Sequence, residues 1–358
     1  MEVAMERAER ARLDFADALM AFNSTGIGSG MVDYFESRRP TESTPIEMAD
    51  VRAIMEASPV YKFGAFFERH NHALLFRNSL DVLERQAEEV HAWLDECNQP
   101  GALGRLELDP DLPIPKYYEK VEIHTQPGSY HGPFAGFLYH WMINPFLVHR
   151  DRENQMGYAL ARGVPQQDYR RILDLGCGIG KSTLPYCDLY PDAEVHGLDY
   201  AAPMLKYAHK WAESQGKRVT YHQQHAEAPR FPDESFDLVT AIWLFHEIPR
   251  ASMEKVVREA LRLLRPGGVF AIMESPPFAH LNRHYSPLTE FLIDSTGRRM
   301  MDPYIPMFFS LDREALLRSN GFTEVWEEPL ENHVTGYSTE GSYFFGAFPW
   351  WMTAGRKV

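Results

Sequence analysis

A chain of 358 residues is longer than one hydrophobic core usually grows, so two domains are expected. Its 44% hydrophobic content suits a globular protein, and fifty acidic against thirty-six basic residues leave a formal charge of -14, which opposes non-specific attachment to nucleic acid or to an anionic membrane. The three cysteines, Cys97, Cys177 and Cys187, are too far apart or too deep in predicted core elements for a disulfide framework or a structural zinc spacing. The expectation is therefore reduced thiols in the cytosol, no metal, no nucleic acid and no membrane. The segment from Met1 to Arg7 is charged and lacks a signal-peptide stretch, and no apolar run is long enough to cross a bilayer.

In chain order, residues 1–150 read as a mainly helical N-terminal domain and 151–358 as a second domain. Residues 2–21 carry apolar positions at helical spacing, and Gly26, Gly28 and Gly30 predict a flexible connection after them. A second helix is expected from near Pro45 and a third through Asn78 to Leu94, while residues 100–115, rich in proline, glycine and acids, read as a break. Between 117 and 150, short alternation and a turn lead into an aromatic run. There Tyr130, His131, Phe134, Tyr139, His140 and Trp141 are suited to covering an organic ligand, and equally to filling a seam between domains.

From Tyr169 strands and helices alternate. Strands are predicted near 171–175, 194–198, 218–223, 236–242 and 268–273, and helices near 180–189, 202–214 and 251–263. Uninterrupted apolar runs such as Leu238-Val239-Thr240-Ala241-Ile242 fit central parallel strands covered on both faces. Residues 274–310 read as irregular, with a helix beginning at Asp312.

The most informative stretch is Arg171-Ile172-Leu173-Asp174-Leu175-Gly176-Cys177-Gly178-Ile179-Gly180-Lys181, an apolar strand that enters a loop with glycine at every second position. Such a turn brings backbone donors and a helix end close to a nucleotide-like ligand. A second strand ends at Asp199, and an acidic residue roughly twenty positions beyond the glycine loop is placed to accept both hydroxyls of a ribose. Asp199 is also placed to cap the helix that follows.

Together with Phe231-Pro232-Asp233-Glu234-Ser235-Phe236-Asp237 and Leu264-Arg265-Pro266-Gly267-Gly268, these stretches resemble the class I S-adenosylmethionine-dependent methyltransferases over about residues 155–350. The resemblance does not reach the first half of the chain. It implies an α/β, Rossmann-like seven-stranded sheet, completed by antiparallel strands near 322–328 and 342–348, with S-adenosyl-L-methionine as cofactor. Carried over by motif, Gly176, Cys177, Gly178 and Gly180 face the methionine part, Asp174 lies near its amino group, Asp199 takes the ribose, and Tyr200 lies by the base. Gln224, His225 and Ala226 fall at the adenine. His225 stands where the family often has an aspartate, and a neutral imidazole cannot offer the same fixed acceptor.

Trp243 to Pro249 follow the fourth strand, where cofactor and acceptor are expected to meet. His246 and Glu247 are placed to orient and receive a substrate proton, or simply to cap the loop, and Glu274 is a further candidate. Methyl transfer is an in-line displacement at a sulfonium carbon, so alignment and shielding can outweigh acid–base chemistry. Phe278, Tyr285, Tyr304, Phe308 and Phe309 favour a small or medium organic acceptor, or else pack against the helical half. The leading expectation is methyl transfer to oxygen or carbon of a small molecule, with a carboxylate or amine acceptor open. That half is expected to shape the acceptor pocket or to support a homodimer. A non-catalytic S-adenosylmethionine-binding scaffold and a protein methyltransferase are the competing readings.

Overall fold

The computed structural model describes residues 3–40, 46–147, 149, 151–280, 286–330 and 350–358. Its strands are β1 (Arg105–Glu107), β2 (Arg171–Leu175), β3 (Glu194–Asp199), β4 (Thr220–Gln223), β5 (Phe236–Ile242), β6 (Leu264–Glu274), β7 (Glu324–Leu330) and β8 (Trp350–Arg356). They form one sheet in the order β1-β4-β3-β2-β5-β6-β8-β7. Pairing is parallel from β1 to β6, and β8 is antiparallel to both β6 and β7. The central strands are sealed on both sides: Ile172, Leu173, Leu238 and Val239 are fully buried, as their unbroken apolar runs require.

The helices are α1 (Arg7–Phe22), α2 (Gly28–Glu36), α3 (Met48–Ala57), α4 (Pro59–Glu84), α5 (Ala87–Asp95), α6 (Ala135–Phe146), α7 (Gln155–Gly163), α8 (Leu184–Leu189), α9 (Ala202–Ser214), α10 (Arg250–Leu263), α11 (Ser286–Arg299), α12 (Ile305–Phe309) and α13 (Arg313–Ser319). In α10 the buried Met253, Val256, Val257, Ala260 and Leu263 recur at helical spacing and turn one stripe to the sheet, with arginines and glutamates outward. Truncating a fully buried leucine such as Leu263 to alanine costs roughly 2–5 kcal/mol. α4 starts at Pro59 behind a Ser58 cap whose side chain accepts from the Tyr61 N–H at 3.2 Å. Among the described residues no helix is long and apolar enough to cross a membrane.

Several expectations change. Gly26, Gly28 and Gly30 are helical, in a π turn (Asn23–Ile27) and in α2; a Cβ at Gly30 would come within 3.2 Å of Val60, so glycine there permits helix contact. The third predicted helix is α4 and α5 together, and α4 begins nineteen residues before Asn78. The expected break at 100–115 contains β1, an eighth strand paired with β4. The expected irregular stretch 274–310 holds α11 and α12. β6 begins at Leu264 because a register shift against β5 absorbs the Pro266-Gly267-Gly268 turn, with Gly267 at φ 83°. The predicted strand at 342–348 lies outside the described residues, and the last described strand is β8.

Candidate active site

In the β2–β3 register Leu175 pairs with Leu198, so the loop after β2 and the end of β3 emerge side by side beyond the carboxyl ends of the strands. The loop is tied to β3: the N–H groups of Gly176 and Cys177 both donate to the Leu198 carbonyl, and Gly178 N–H donates to Asp199 Oδ2 at 2.9 Å. These amides are therefore committed within the protein, and the glycines contribute close approach and backbone shape. Gly176 and Gly178 have φ of 68° and 50°, left-handed angles that strain residues with side chains. Asp199 Oδ1 accepts from Ala201 N–H at 2.9 Å, so each carboxylate oxygen keeps a lone pair for a further donor. Burial pushes the Asp199 carboxyl up to about 6, against the pull of these backbone N–H groups.

A cavity of about 740 Å³ opens here, lined by Gly176, Gly178, Asp199, Tyr200, Gln224, His225, Ala226, Trp243 and Glu247. Tyr118, Tyr130 and Tyr139 add a wall from the first half of the chain. Tyr118 stacks on Tyr200 with centroids 5.0 Å apart, and the His225 ring lies parallel to Tyr200 at 6.4 Å. A second cavity of about 410 Å³ shares Tyr139, Gly176, Gly178, Ile242 and Trp243 with the first and ends at Cys177, Asp151 and Lys181. There the buried Lys181 ammonium lies 3.2 Å from the buried Asp151 carboxylate.

This arrangement fits S-adenosylmethionine. Asp199 suits the ribose, flat rings beside His225 and Ala226 suit adenine, and the Lys181–Asp151 pair suits a zwitterionic amino acid. The buried hydroxyl of Tyr200 and the indole N–H of Trp243 have no hydrogen-bond partner among the described residues. Trp243 itself has a φ of 56°, a backbone state costing a non-glycine residue on the order of 1–3 kcal/mol.

The other sequence candidates are placed as follows. Asp174 is fully buried and accepts from Ser182, Thr183 and Thr240 hydroxyls at 2.6, 2.7 and 3.2 Å, so it braces the loop from beneath and lines neither cavity. Gly180 turns at φ 82° over the Tyr221 hydroxyl. Gln224 Oε1 accepts from Arg230 N–H, and His225 Nε2 pairs with the Pro113 carbonyl at 2.8 Å. Of the aromatic run, Tyr130 and Tyr139 reach the cavity, and His131 packs edge-on against Tyr200. Phe134, His140 and Trp141 face His91, Tyr207 and Phe137 instead.

Glu247 reaches the cavity and accepts from the Tyr130 hydroxyl at 2.7 Å, with His124 Nε2 at 3.3 Å. Burial works against its charge, but His124, His246 and Tyr130 together hold the carboxyl below its usual range. His246 is sealed at 2% exposure. Burial disfavours its charged form, yet Glu274 at 2.7 Å, with Asp302 and Glu247, raises it to about 10. The surrounding carboxylates thus favour the charged imidazole, which speaks against His246 as the general base that its position after β5 suggested. Glu274 is equally enclosed, accepting from Phe245 N–H at 2.9 Å and pairing with His246.

A third cavity, of about 1250 Å³, lies between the N-terminal helices and the α11–α12 pair, beside the strand ends at Trp243 and Ser275. Met20, Met31, Phe146, Leu292, Ile293 and Phe309 make it mainly apolar, Glu68 and Arg299 pair at 2.7 Å on its wall, and Trp243 lines both it and the first cavity. Of the C-terminal aromatics, Phe309 lines this space, Phe278 packs on Phe309, Phe308 is buried against Phe245, and Tyr304 sits near Tyr117. Tyr285 lies outside the described residues. Asp151 and Tyr118 were not marked in the sequence; Lys181, directly after the last loop glycine, was the available local signal for Asp151.

The methyltransferase domain model matches residues 172–268. A demethylmenaquinone methyltransferase of Thermus thermophilus is 42% identical over 108 residues, 30% of this chain and 48% of that protein. One of Symbiobacterium thermophilum is 31% identical over 184 residues, 45% of this chain and 72% of that protein. The chain thus spans about half the length of the first of these relatives. A Haemonchus contortus phosphoethanolamine N-methyltransferase 2 resembles it structurally with a TM-score of 0.47 and 19% identity, over 64% of this chain and 58% of the other. The chain belongs to the class I S-adenosylmethionine-dependent methyltransferases, whose cofactor is S-adenosylmethionine.

Proposed function

We propose that this protein transfers a methyl group from S-adenosylmethionine to a small, largely apolar organic acceptor, at oxygen or carbon. The observation that carries the reading is Trp243, which lines both the cavity holding Asp199 and the large apolar cavity and so sets the two spaces side by side. The cofactor, when bound, supplies an electrophilic methyl on a sulfonium. Asp199 accepts the ribose hydroxyls, Lys181 and Asp151 hold the amino-acid end, and Tyr200 with His225 and Ala226 flanks the base. Glu247, the carboxylate that reaches the cavity, holds the acceptor's proton-bearing group, while Tyr130 and His124 fix its orientation. The tyrosine wall excludes water from the sulfonium.

Three of the similar proteins are named demethylmenaquinone methyltransferases, and the apolar lining of the third cavity supports an acceptor of comparably low polarity. We read residues 1–150 as the part that builds this acceptor chamber, and a cytosolic setting as consistent with free Cys97, Cys177 and Cys187. Incubating the protein with methyl-labelled S-adenosylmethionine and a panel of apolar phenols, quinols and enols tests the proposal. Label is expected in an apolar product; binding of adenosylhomocysteine with no transfer across the panel, but transfer to a peptide, would overturn it.

A further inference from the structure

Behind Glu247 lies a buried cluster that methyl transfer does not by itself require. His124, His246 and Asp302 each offer one ligand atom, a ring nitrogen or a carboxylate oxygen, and these atoms all lie within 4.8 Å of one another, on residues 8%, 2% and 1% exposed. We propose that His124, His246 and Asp302 bind one divalent first-row transition-metal ion next to the acceptor side of the cofactor cavity. This goes beyond the methyltransferase reading and does not depend on it.

Four observations support the site. Two imidazoles and one carboxylate are the ligand types that hold zinc or ferrous iron while leaving coordination positions open. Bonds of roughly 2.0–2.2 Å put neighbouring ligand atoms a little over 3 Å apart, so modest side-chain adjustment closes the observed spacing around an ion. Both Asp302 oxygens are buried without a hydrogen-bond partner among the described residues, and 3.9 Å separates Oδ2 from His246 Nε2. A carboxylate so enclosed is kept charged only by a paired cation, and a metal ion that displaces the His246 proton would take that place. Finally, Glu274 engages His246 Nδ1 at 2.7 Å and is itself fixed by Phe245 N–H at 2.9 Å, which leaves Nε2 toward Asp302. A carboxylate behind a histidine in this way is how metal-bound imidazoles are oriented.

Glu247 Oε1, 3.3 Å from His124 Nε2 and 3.9 Å from His246 Nε2, joins the ion to the cofactor cavity. On the other flank Phe146 packs on His124 and Trp243 on His246, and both rings line the apolar chamber. The ion would therefore stand in the wall between the two spaces. An acceptor hydroxyl bound to it loses its proton more readily, as metal-bound water does. His124 is held at φ 56°, a strained backbone that the surrounding packing maintains.

The ligands come from the loop before α6, the turn after β5 and the turn between α11 and α12, so no sequence spacing announces them. Chelator-treated full-length protein titrated with Co²⁺ alone, without cofactor or acceptor, provides the test. The expected result is one equivalent bound with visible ligand-field absorption, displaced by Zn²⁺. D302N and H124Q are each expected to weaken Co²⁺ binding by more than roughly 100-fold, and E274Q by roughly 10- to 100-fold, with adenosylhomocysteine affinity unchanged. Absence of saturable Co²⁺ binding by the folded wild-type protein overturns the proposal. So does unchanged affinity in D302N or H124Q, whichever folds by circular dichroism. Failure to methylate any acceptor would overturn only the proposed reaction, because the spectral titration involves no turnover.

Discussion

The backbone N–H of Gly178 donates to the Asp199 carboxylate across 2.9 Å, so the glycine loop and the ribose-binding candidate are one rigid unit. Replacing Asp199 with alanine removes both the bond to the loop and the acceptor for the ribose. Adenosylhomocysteine binding is expected to weaken by roughly 1–3 kcal/mol in calorimetry, with no NAD binding in either protein. An unchanged dissociation constant in folded D199A would show that the ribose lies elsewhere.

The buried Asp199 carboxyl titrates near 6, and only its ionised form offers acceptors to two hydroxyls. Adenosylhomocysteine affinity is therefore expected to hold above pH 7 and to fall as pH drops through 6 toward 5. A flat profile in calorimetry from pH 5 to 7.5 would contradict the assignment.

Asp174 gives a pH effect on stability. Burial raises its carboxyl to about 6 from an ordinary 3.8, although the Ser182, Thr183 and Thr240 hydroxyls pull it down. The native state thus keeps a proton that the unfolded chain has released. Its contribution is complete below pH 4 and is lost as pH rises through 6, by at most about 3 kcal/mol. Urea denaturation of the unliganded protein is expected to show this slope, and D174N to flatten it.

In chelator-treated protein with cofactor and acceptor saturating, turnover is expected to show no limb near pH 6.5 that H246Q abolishes, since Glu274, Asp302 and Glu247 raise the metal-free His246 to about 10. E247Q is expected to lower turnover by roughly 100-fold while leaving adenosylhomocysteine affinity within a few-fold. A neutral-pH limb removed by H246Q would restore the histidine as the base.

Ile293 is buried on the wall of the large chamber, away from Asp199. I293F is expected to reduce kcat/KM for a bulky apolar acceptor at least 10-fold and leave cofactor binding untouched. Equal kinetics for bulky and small acceptors in wild type and variant would mean that the chamber is not where the acceptor sits.

The glycine loop, Asp199 and the strands from β2 to β6 were legible because each depends on consecutive residues: a buried strand reads as an apolar run, and a strand end as the turn after it. The helical identity of Gly28 and Gly30 was not, because packing against α4 overrides their local flexibility. β1 was hidden in a Pro/Gly-rich stretch since its three residues gain stability only by pairing with β4. At the active site, the protonation of His246 was unreadable because two of its three carboxylate neighbours, Glu274 and Asp302, lie 28 and 56 positions away. The same distance in sequence hid Asp151, whose role depends on Lys181 reaching it.

Among the described residues, the two margins of the sheet also bear on how copies of this protein can meet. One margin is β1, only three residues long and ending at an acidic, proline-containing turn from Asp109 to Pro110. The other is β7, where Glu324, Glu327, Glu328 and Pro329 interrupt an otherwise available row of backbone donors. Brevity, like charge and proline, is a barrier to strand addition. Concentrated solutions of the folded chain should therefore resist fibre-like growth through a continuous sheet, and any specific self-association is left to helical surfaces.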